Sequence, residues 1–558
     1  MQVPLLPGDS PALRKQRGAF FTPAAIADFL AEWATAGRAD ARVLDPTCGE
    51  AVFLLAAARR LAANGAAPDA TRELLHGVDL HGTSLEESRR LIRSEGFDAS
   101  LVVGDFFEQS PPAQLGGALR WMDAVVGNPP FVRYHEHRGD VRKRSAAAAL
   151  AQGVRLSGLA SSWAALLVHA CSFLKPDGRV AMVLPAELMT VGYAEPIRRW
   201  LRQRFAAVHL VLFEELQFHD AEEQVVLLVA RGSGGCDAFA LHLVRDAEDL
   251  RRLHVFDGVA VAPNAEGKWT DLLLPTERRM LFRRLTSAHF VNLGEYGSPE
   301  LGTVTGANPF FTLSEGTRQT YELTAADVTP IVPPGTKHLK GTCFTKGRWE
   351  QLKLQGERVW LLHPKAKAPK AGLARYVAHG VQLGVPEAYK CTVRNPWWRP
   401  PAVPAPDLFF TYMSHRYPRL IANDAGVTFV NSMHGVVLRH DAPACAKDAL
   451  PLLALNSASM LGAEVFGRSY GGGILKMEPS EAAQLPVPAP RVLGKAWKVI
   501  EKRRAHLDDL LRAGQWQEVV DEIDDAVLVQ AAGVRLDDVK ALRTEAARLR
   551  QRRMRKAG

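Results

Sequence analysis

Between residues 20 and 245, short β-branched runs alternate with helical stretches, and this alternation leaves few folds open. Parallel strands need long crossover connections, and an amphipathic helix is the connection that covers the sheet as it crosses. The strand candidates are Ala41–Leu44, Leu75–Val78, Leu101–Val103, Asp123–Val126, Arg179–Leu184, Val208–Phe213 and Gln224–Ala230. Between them lie helical patterns over Thr22–Trp33, Ala51–Ala62 and Ser161–Phe173. Thr22 fits an N-cap and Pro23 the first helical position. The expected fold class for this half is α/β, built on a mixed, mostly parallel sheet.

The texture changes beyond residue 245. Residues 290–490 carry short strand-like runs broken by Pro and Gly, which predicts a β-rich second domain. Residues 246–289 are charged and read as a connector, and residues 491–558 as a helical, basic segment. A length of 558 residues suits roughly three or four domain-sized units of about 150 residues each. No run of 18 apolar residues is present, so no membrane span is expected. The first 18 residues are Pro-rich and then basic, without the apolar core of a signal peptide. The six cysteines are scattered without a C-x-x-C pair, which predicts reduced thiols in a cytoplasmic protein and no metal site. The formal net charge of +9 suits a polyanionic partner, because neutralising phosphates releases counterions.

The sharpest local feature is Asn128-Pro129-Pro130-Phe131, directly after the apolar run Asp123–Val126. Two prolines cannot donate to a ladder, so the strand must end there in a rigid extended segment. Open α/β sheets hold their ligands at the carboxyl ends of the strands. The Asn128 side-chain oxygen and the Pro129 carbonyl can together accept both protons of an amino group, and Phe131 offers a flat surface on which a ring can stack. Taken alone, Asn-Pro-Pro is also an ordinary turn.

Its company raises the stakes. Val43-Leu44-Asp45 runs through Pro46-Thr47-Cys48 to a turn at Gly49 and then into a helix, the local form in which helix N-terminal amides and an acid hold nucleotide-like ligands. Asp79 closes the second strand, where an acid can bind a ribose diol. Asp105 closes the third, where it can accept from an adenine amino group, with Phe106 beside it to cover that ring. Acids at three successive strand ends, followed by the tetrad at the fourth, form one constellation.

These residues resemble the N6-adenine DNA methyltransferases of restriction–modification systems, more narrowly their gamma class. Arg17-Gly18-Ala19-Phe20-Phe21-Thr22-Pro23 matches the opening motif of that class, and the acid-Pro-x-Cys-Gly turn, the two later acids and the Asn-Pro-Pro-aromatic tetrad follow in its order. Gly178–Pro185 and Phe218–Val229 match later parts of the pattern. One departure is visible: Glu50-Ala51 stand where the cofactor loop usually has a second glycine. The resemblance implies a Rossmann-like class I methyltransferase domain over residues 1–245 and S-adenosyl-L-methionine as cofactor. Thr22, Asp45 and Gly49 would hold its methionine end, Asp79 its ribose, and Asp105 with Phe106 its adenine. Asn128, Pro129 and Phe131 would act on a flipped adenine. It also implies double-stranded DNA as partner and leaves room for a separately acting restriction endonuclease.

Residues 290–490 would then be the target-recognition domain. Val304–Phe310, Trp397-Trp398-Arg399 and Gly467–Gly473 are its suggestive pieces. Phe218, Arg394, Trp397, Trp398 and Arg399 are the candidates for contact with the target base or DNA, although Trp397 and Trp398 also read as ordinary core. From Ala541 onward, seven basic residues face one acid, which reads as a solvated helix end or as a phosphate contact. Two other functions compete. The tetrad also occurs in enzymes that methylate ribosomal RNA or protein glutamine, and a non-catalytic DNA-binding module is a reading of a different class.

Overall fold

The computed structural model describes residues 22–113, 119–132, 139–158, 160–213, 225–253, 258–261, 268–365, 368–369 and 371–554. The chain divides into two compact units, Met1–Leu273 and Leu274–Gly558.

The first unit is built on one nine-stranded sheet in the order β3-β2-β1-β4-β5-β7-β6-β8-β9. The strands are β1 (Val43–Asp45), β2 (Leu75–Asp79), β3 (Ser100–Val103), β4 (Met122–Gly127), β5 (Leu174–Pro185), β6 (Ala207–Phe213), β7 (Val225–Arg231), β8 (Phe239–Val244) and β9 (Val259–Val261). Strands β3 to β5 are mutually parallel, and β7 runs antiparallel between β5 and β6. This is the mixed, mostly parallel sheet expected of a Rossmann-like domain. Helix α1 (Ala24–Thr35) precedes β1, and the crossovers include α2 (Val52–Ala63), α3 (Gly82–Ser94), α4 (Gly139–Ala151), α5 (Ser162–Cys171) and α6 (Glu195–Arg204).

The period-two alternation of β5 explains the layering. Val180, Met182 and Leu184 belong to one apolar cluster with α5, while Ala181 and Val183 belong to a second cluster with α1 and α2. All five are 0% exposed, so the central strand is apolar on both faces, as a sheet covered by helices on both sides requires. Each fully buried Val or Leu contributes about 1.5–3 kcal/mol of transfer free energy.

The expected connector does not form a separate piece. β9 pairs with β8 on the first sheet, and the Trp269 amide donates to the Met189 carbonyl at 2.8 Å, so residues up to Leu273 complete the first unit. The helix Thr276–His289 opens the second.

The second unit holds a five-stranded sheet ordered Gly297–Leu301, His434–Leu438, Leu408–Phe410, Leu420–Asn423 and Cys343–Phe344, with smaller sheets around it. Helices Lys346–Leu354, Ala371–Gln382, Ala446–Leu453 and Ser457–Phe466 interleave with these strands, so the region has more helix than its Pro- and Gly-broken sequence suggests. The described part of the basic C-terminal stretch, up to Met554, packs onto this unit as a helix. Helix Leu536–Met554 places Arg553, 4% exposed, in a two-point ion pair with Glu464 at 2.7 and 3.0 Å. Arg543 pairs with Asp524, Arg548 with Glu545, and Arg550 with the Tyr417 hydroxyl. Among the described residues, no single helix is long and apolar enough to cross a membrane.

Candidate active site

The four parallel strands β3, β2, β1 and β4 deliver their carboxyl ends to one edge of the sheet, and each end carries a residue singled out from sequence. Asp45 closes β1, Asp79 closes β2, Asp105 lies two residues beyond β3, and Asn128 follows Gly127 at the end of β4. The constellation read along the chain is therefore one place in the fold.

Asp45 is 1% exposed. One carboxyl oxygen accepts from the Thr47 amide at 3.1 Å, and the other has no hydrogen-bond partner among the described residues. Burial pushes this carboxyl up to about 8, and the neighbouring Asp79 adds to the shift. Gly127 explains how β4 fits against it: a Cβ there would stand 2.9 Å from Asp45 Oδ1, and the glycine adopts a φ of +146°.

The turn after β1 is fastened to β2. The Gly49 amide donates to Asp79 Oδ2 at 2.9 Å, the His81 amide donates to Asp79 Oδ1 at 2.9 Å, and the Cys48 amide donates to the Val78 carbonyl at 3.0 Å. Asp79 thus orders two loops at once, and a carboxylate with one donor on each oxygen keeps further lone pairs for ligand hydroxyls. Gly49 (φ +46°) and Ala51 (φ +59°) are both left-handed. Ala51 therefore takes up the conformation for which a glycine is usual, which resolves the departure seen in the sequence. Cys48 is buried, and burial together with two nearby acids holds its thiol well above the ordinary range, so it is a packed group and not a nucleophile.

Asp105 accepts from the Phe107 amide at 3.0 Å with one oxygen. With the other it accepts from Arg144 of α4, at 2.9 and 3.1 Å. Phe106 is 3% exposed and packs edge-on against His169 at 5.0 Å and obliquely on Phe173 at 5.3 Å, so its ring serves the core on at least one side.

At the tetrad, Asn128 Nδ2 donates to Thr22 Oγ1 at 3.2 Å, while Asn128 Oδ1 is buried with no partner among the described residues. The threonine fixes which way the amide faces: the donor end is held and the acceptor end is left open. Phe131 is half-buried and packs against both apolar clusters. Ser162 reaches the same corner: its hydroxyl donates to the Pro130 carbonyl and accepts the Val132 amide at 3.0 Å. Sequence reasoning passed over Ser162 and Arg144, and the signal for either was faint, a hydroxyl opening an apolar helix and one arginine among several on a polar one.

Among the described residues, three buried oxygens without a hydrogen-bond partner, on Asp45, Thr47 and Asn128, sit at or just beyond the ends of adjacent strands. Buried polar atoms in folded proteins are nearly always satisfied, so a group of exceptions points to a ligand rather than to chance. The acceptors suit a ligand rich in N–H and O–H, with one cationic end near Asp45.

The expected DNA-contacting residues of the second unit fare differently. Arg394 donates to the Val304 and Thr305 carbonyls at 3.0 and 3.1 Å and lies over the Phe311 ring. Trp398 is 6% exposed inside an apolar cluster, and Trp397 packs on Phe310 and Phe311. Trp398 belongs to the unit's own core, while Trp397 and Arg394 are half-buried and pack against it. Arg399 remains half-exposed. Phe218 lies outside the described residues.

Comparison with known proteins agrees with this geometry. Residues 6–230 match the N-6 DNA methylase family, and residues 266–528 match the C-terminal domain of the type II methyltransferase M.Eco57I. The chain is 25% identical over 482 residues to the type II methyltransferase M.XamI of Xanthomonas campestris pv. amaranthicola, covering 85% of each chain. It is 20% identical over 483 residues to M.AccI of Acinetobacter calcoaceticus, covering 84% of each. Among solved structures, the type IIL restriction-modification enzyme MmeI in complex with DNA shares the fold, with a TM-score of 0.56 and 12% identity over 95% of this chain and 75% of that one. The open acceptors at the ends of β1 and β4, the strand order and these matches lead to one assignment: the chain resembles the N-6 DNA methylases over residues 6–230 and is a DNA methyltransferase of the restriction–modification type.

Proposed function

We propose that this protein methylates the exocyclic N6 of adenine at specific sites in double-stranded DNA, with S-adenosyl-L-methionine as the methyl source. The observation that carries the reading is the Asn128 amide, whose donor end is tied to Thr22 and whose buried acceptor is open. Such an acceptor fits an aromatic NH2 and would repel a substrate that offers only lone pairs.

Asp45 and Thr22 would hold the methionine end of the cofactor, Asp79 the ribose, and Asp105 and Phe106 the adenine. When bound, S-adenosyl-L-methionine supplies an electrophilic methyl group on its sulfonium. The target adenine cannot reach it inside a duplex and must leave the stack, at a cost of a few kcal/mol. Phe131 offsets part of that cost by stacking, worth roughly 1–3 kcal/mol per base.

Asn128 Oδ1 and the Pro129 carbonyl then accept the two N6 protons. Their pull takes the nitrogen lone pair out of conjugation and aims it at the methyl carbon. Attack by N6 on the methyl group would break its bond to sulfur, which would keep that bonding pair, and the surplus N6 proton would pass to solvent. Rate acceleration comes from alignment and from acceptors matched to the positive charge growing on N6. No covalent intermediate with the protein is needed.

A companion restriction endonuclease that spares the methylated site completes the biological reading, and recognition of that site falls to the second unit. Asn128→Ala tests the core of the proposal. With labelled cofactor and duplex DNA, turnover should fall at least 1,000-fold, or about 4 kcal/mol of transition-state stabilisation, while cofactor and DNA still bind. N6-methyladenine formed by the variant at near wild-type rate would overturn the assignment.

A further inference from the structure

A corner made of two prolines cannot hold itself in place. Pro129 and Pro130 have no N–H to donate, so the backbone that carries Asn128 and Phe131 must be fixed from outside. The structure supplies one residue that does this on both sides of Phe131. The Ser162 hydroxyl donates to the Pro130 carbonyl and accepts the Val132 amide at 3.0 Å, and the Ser162 amide donates to the Val132 carbonyl at 3.1 Å. Ser162 is 5% exposed, so water does not compete for these bonds.

The serine is itself held firmly. It opens α5, every residue of which is buried. Next to it, Ser161 Oγ lies 3.1 Å from the Tyr193 hydroxyl, which also accepts the Trp163 Nε1–H at 3.1 Å and donates to the Glu187 carboxylate. Trp163 is 0% exposed. The anchor therefore stands on a fully buried helix, and its hold on the corner is not shared with solvent.

We infer that Ser162 is a positioning residue for methyl transfer, clamping Pro130 and Val132 so that Phe131 and Asn128 meet the extruded base in one fixed pose. This inference rests on the adenine reading proposed above. It assigns the clamp no contact with the cofactor, so losing the hydroxyl should loosen the base end of the site and leave the cofactor end intact.

The test compares Ser162→Ala and Ser162→Thr with the wild-type protein on a duplex carrying 2-aminopurine at the target position. For the alanine variant, cofactor affinity by calorimetry should stay within about twofold of wild type. Its single-turnover transfer rate should fall 10- to 100-fold, and its 2-aminopurine emission should weaken and become heterogeneous. The threonine variant, which keeps the hydroxyl, should recover most of both signals. Hydrogen exchange gives a second readout. A peptide spanning Gly127–Val132 contains few amides because of the two prolines, and it should be protected in the wild type and exchange faster in Ser162→Ala. A wild-type transfer rate in the alanine variant, an unprotected peptide in the wild-type protein, or an equal loss of cofactor affinity and transfer would each overturn the inference. If the wild-type protein itself failed to methylate adenine, the underlying functional reading would be at fault, whereas the exchange result would still decide whether the clamp exists.

Discussion

Replacing Asp45 by asparagine should make the protein more stable and catalytically useless, and the size of the first effect follows mainly from burial, with Asp79 adding to it. The Asp45 carboxyl has an ordinary value of 3.8 and is pushed up to about 8 in the folded chain. Between those values the folded state holds a proton that the unfolded state has lost. Stability therefore falls as pH rises through that window, by about 1.4 kcal/mol per pH unit, and levels off above 8. At pH 7, the native state of the wild type is disfavoured by about 4 kcal/mol relative to a neutral isostere. Asparagine has the shape of the protonated acid and no charge to desolvate, but it leaves a buried amide imperfectly bonded, which returns about 1–2 kcal/mol. A net gain of about 2–3 kcal/mol remains, a rise of roughly 5 °C in the unfolding temperature of the first unit. Thermal unfolding of both proteins from pH 5 to 9 is the assay, and the gap between them should widen up to pH 8 and then stay constant. Cofactor binding supplies the converse. A cationic methionine end would ionise Asp45 and release a proton, so wild-type affinity should rise with pH toward 8, whereas Asp45→Asn should bind at least 100-fold more weakly without pH dependence. A stability gap that ignores pH, or an asparagine variant that binds the cofactor normally, would refute the reasoning.

Two other substitutions probe the second unit. Glu464→Gln leaves Arg553 buried without its counter-charge, so the unit should lose about 3 kcal/mol in denaturant titrations, and an unchanged midpoint would show that the pair carries no such role. Arg394→Met removes the donors that satisfy the Val304 and Thr305 carbonyls, and it should cost about 1–3 kcal/mol of stability while the recognised DNA sequence stays the same. A changed recognition sequence in a fully stable variant would return Arg394 to the DNA-reading surface.

The parts of this protein that were legible in its sequence are the parts whose causes are local. The strand β4 ends where two prolines forbid it to continue, and the acids at β1 to β3 sit where apolar runs give way to turn residues. The fastening of Asp79 to the Gly49 amide follows once those ends are neighbours in a parallel sheet. β8 and β9 escaped although both are apolar in sequence, because what makes them strands is pairing with β6 and with each other near the sheet edge. The interior role of the C-terminal helix was unreadable for another reason. Arg553 looks like one more charge in a basic tail until Glu464, 89 residues earlier, is brought against it. Trp397, Trp398 and Arg394 show the same limit, since composition alone cannot say whether an aromatic-arginine cluster packs inward or faces a ligand. Ser162 is the extreme case, one hydroxyl whose importance exists only in its contacts with Pro130 and Val132.

The central claim is that an open amide oxygen at the end of β4 directs a methyl group onto adenine N6 in DNA. Single-molecule sequencing of chromosomal DNA from a methylation-free host tests it most directly, with the wild-type gene and Asn128→Ala expressed side by side. The account predicts N6-methyladenine at every copy of one short sequence with the wild type and none with the variant. Modified cytosine in place of adenine, methylation scattered without a common sequence, or an unmodified genome beside labelled RNA or protein would contradict it.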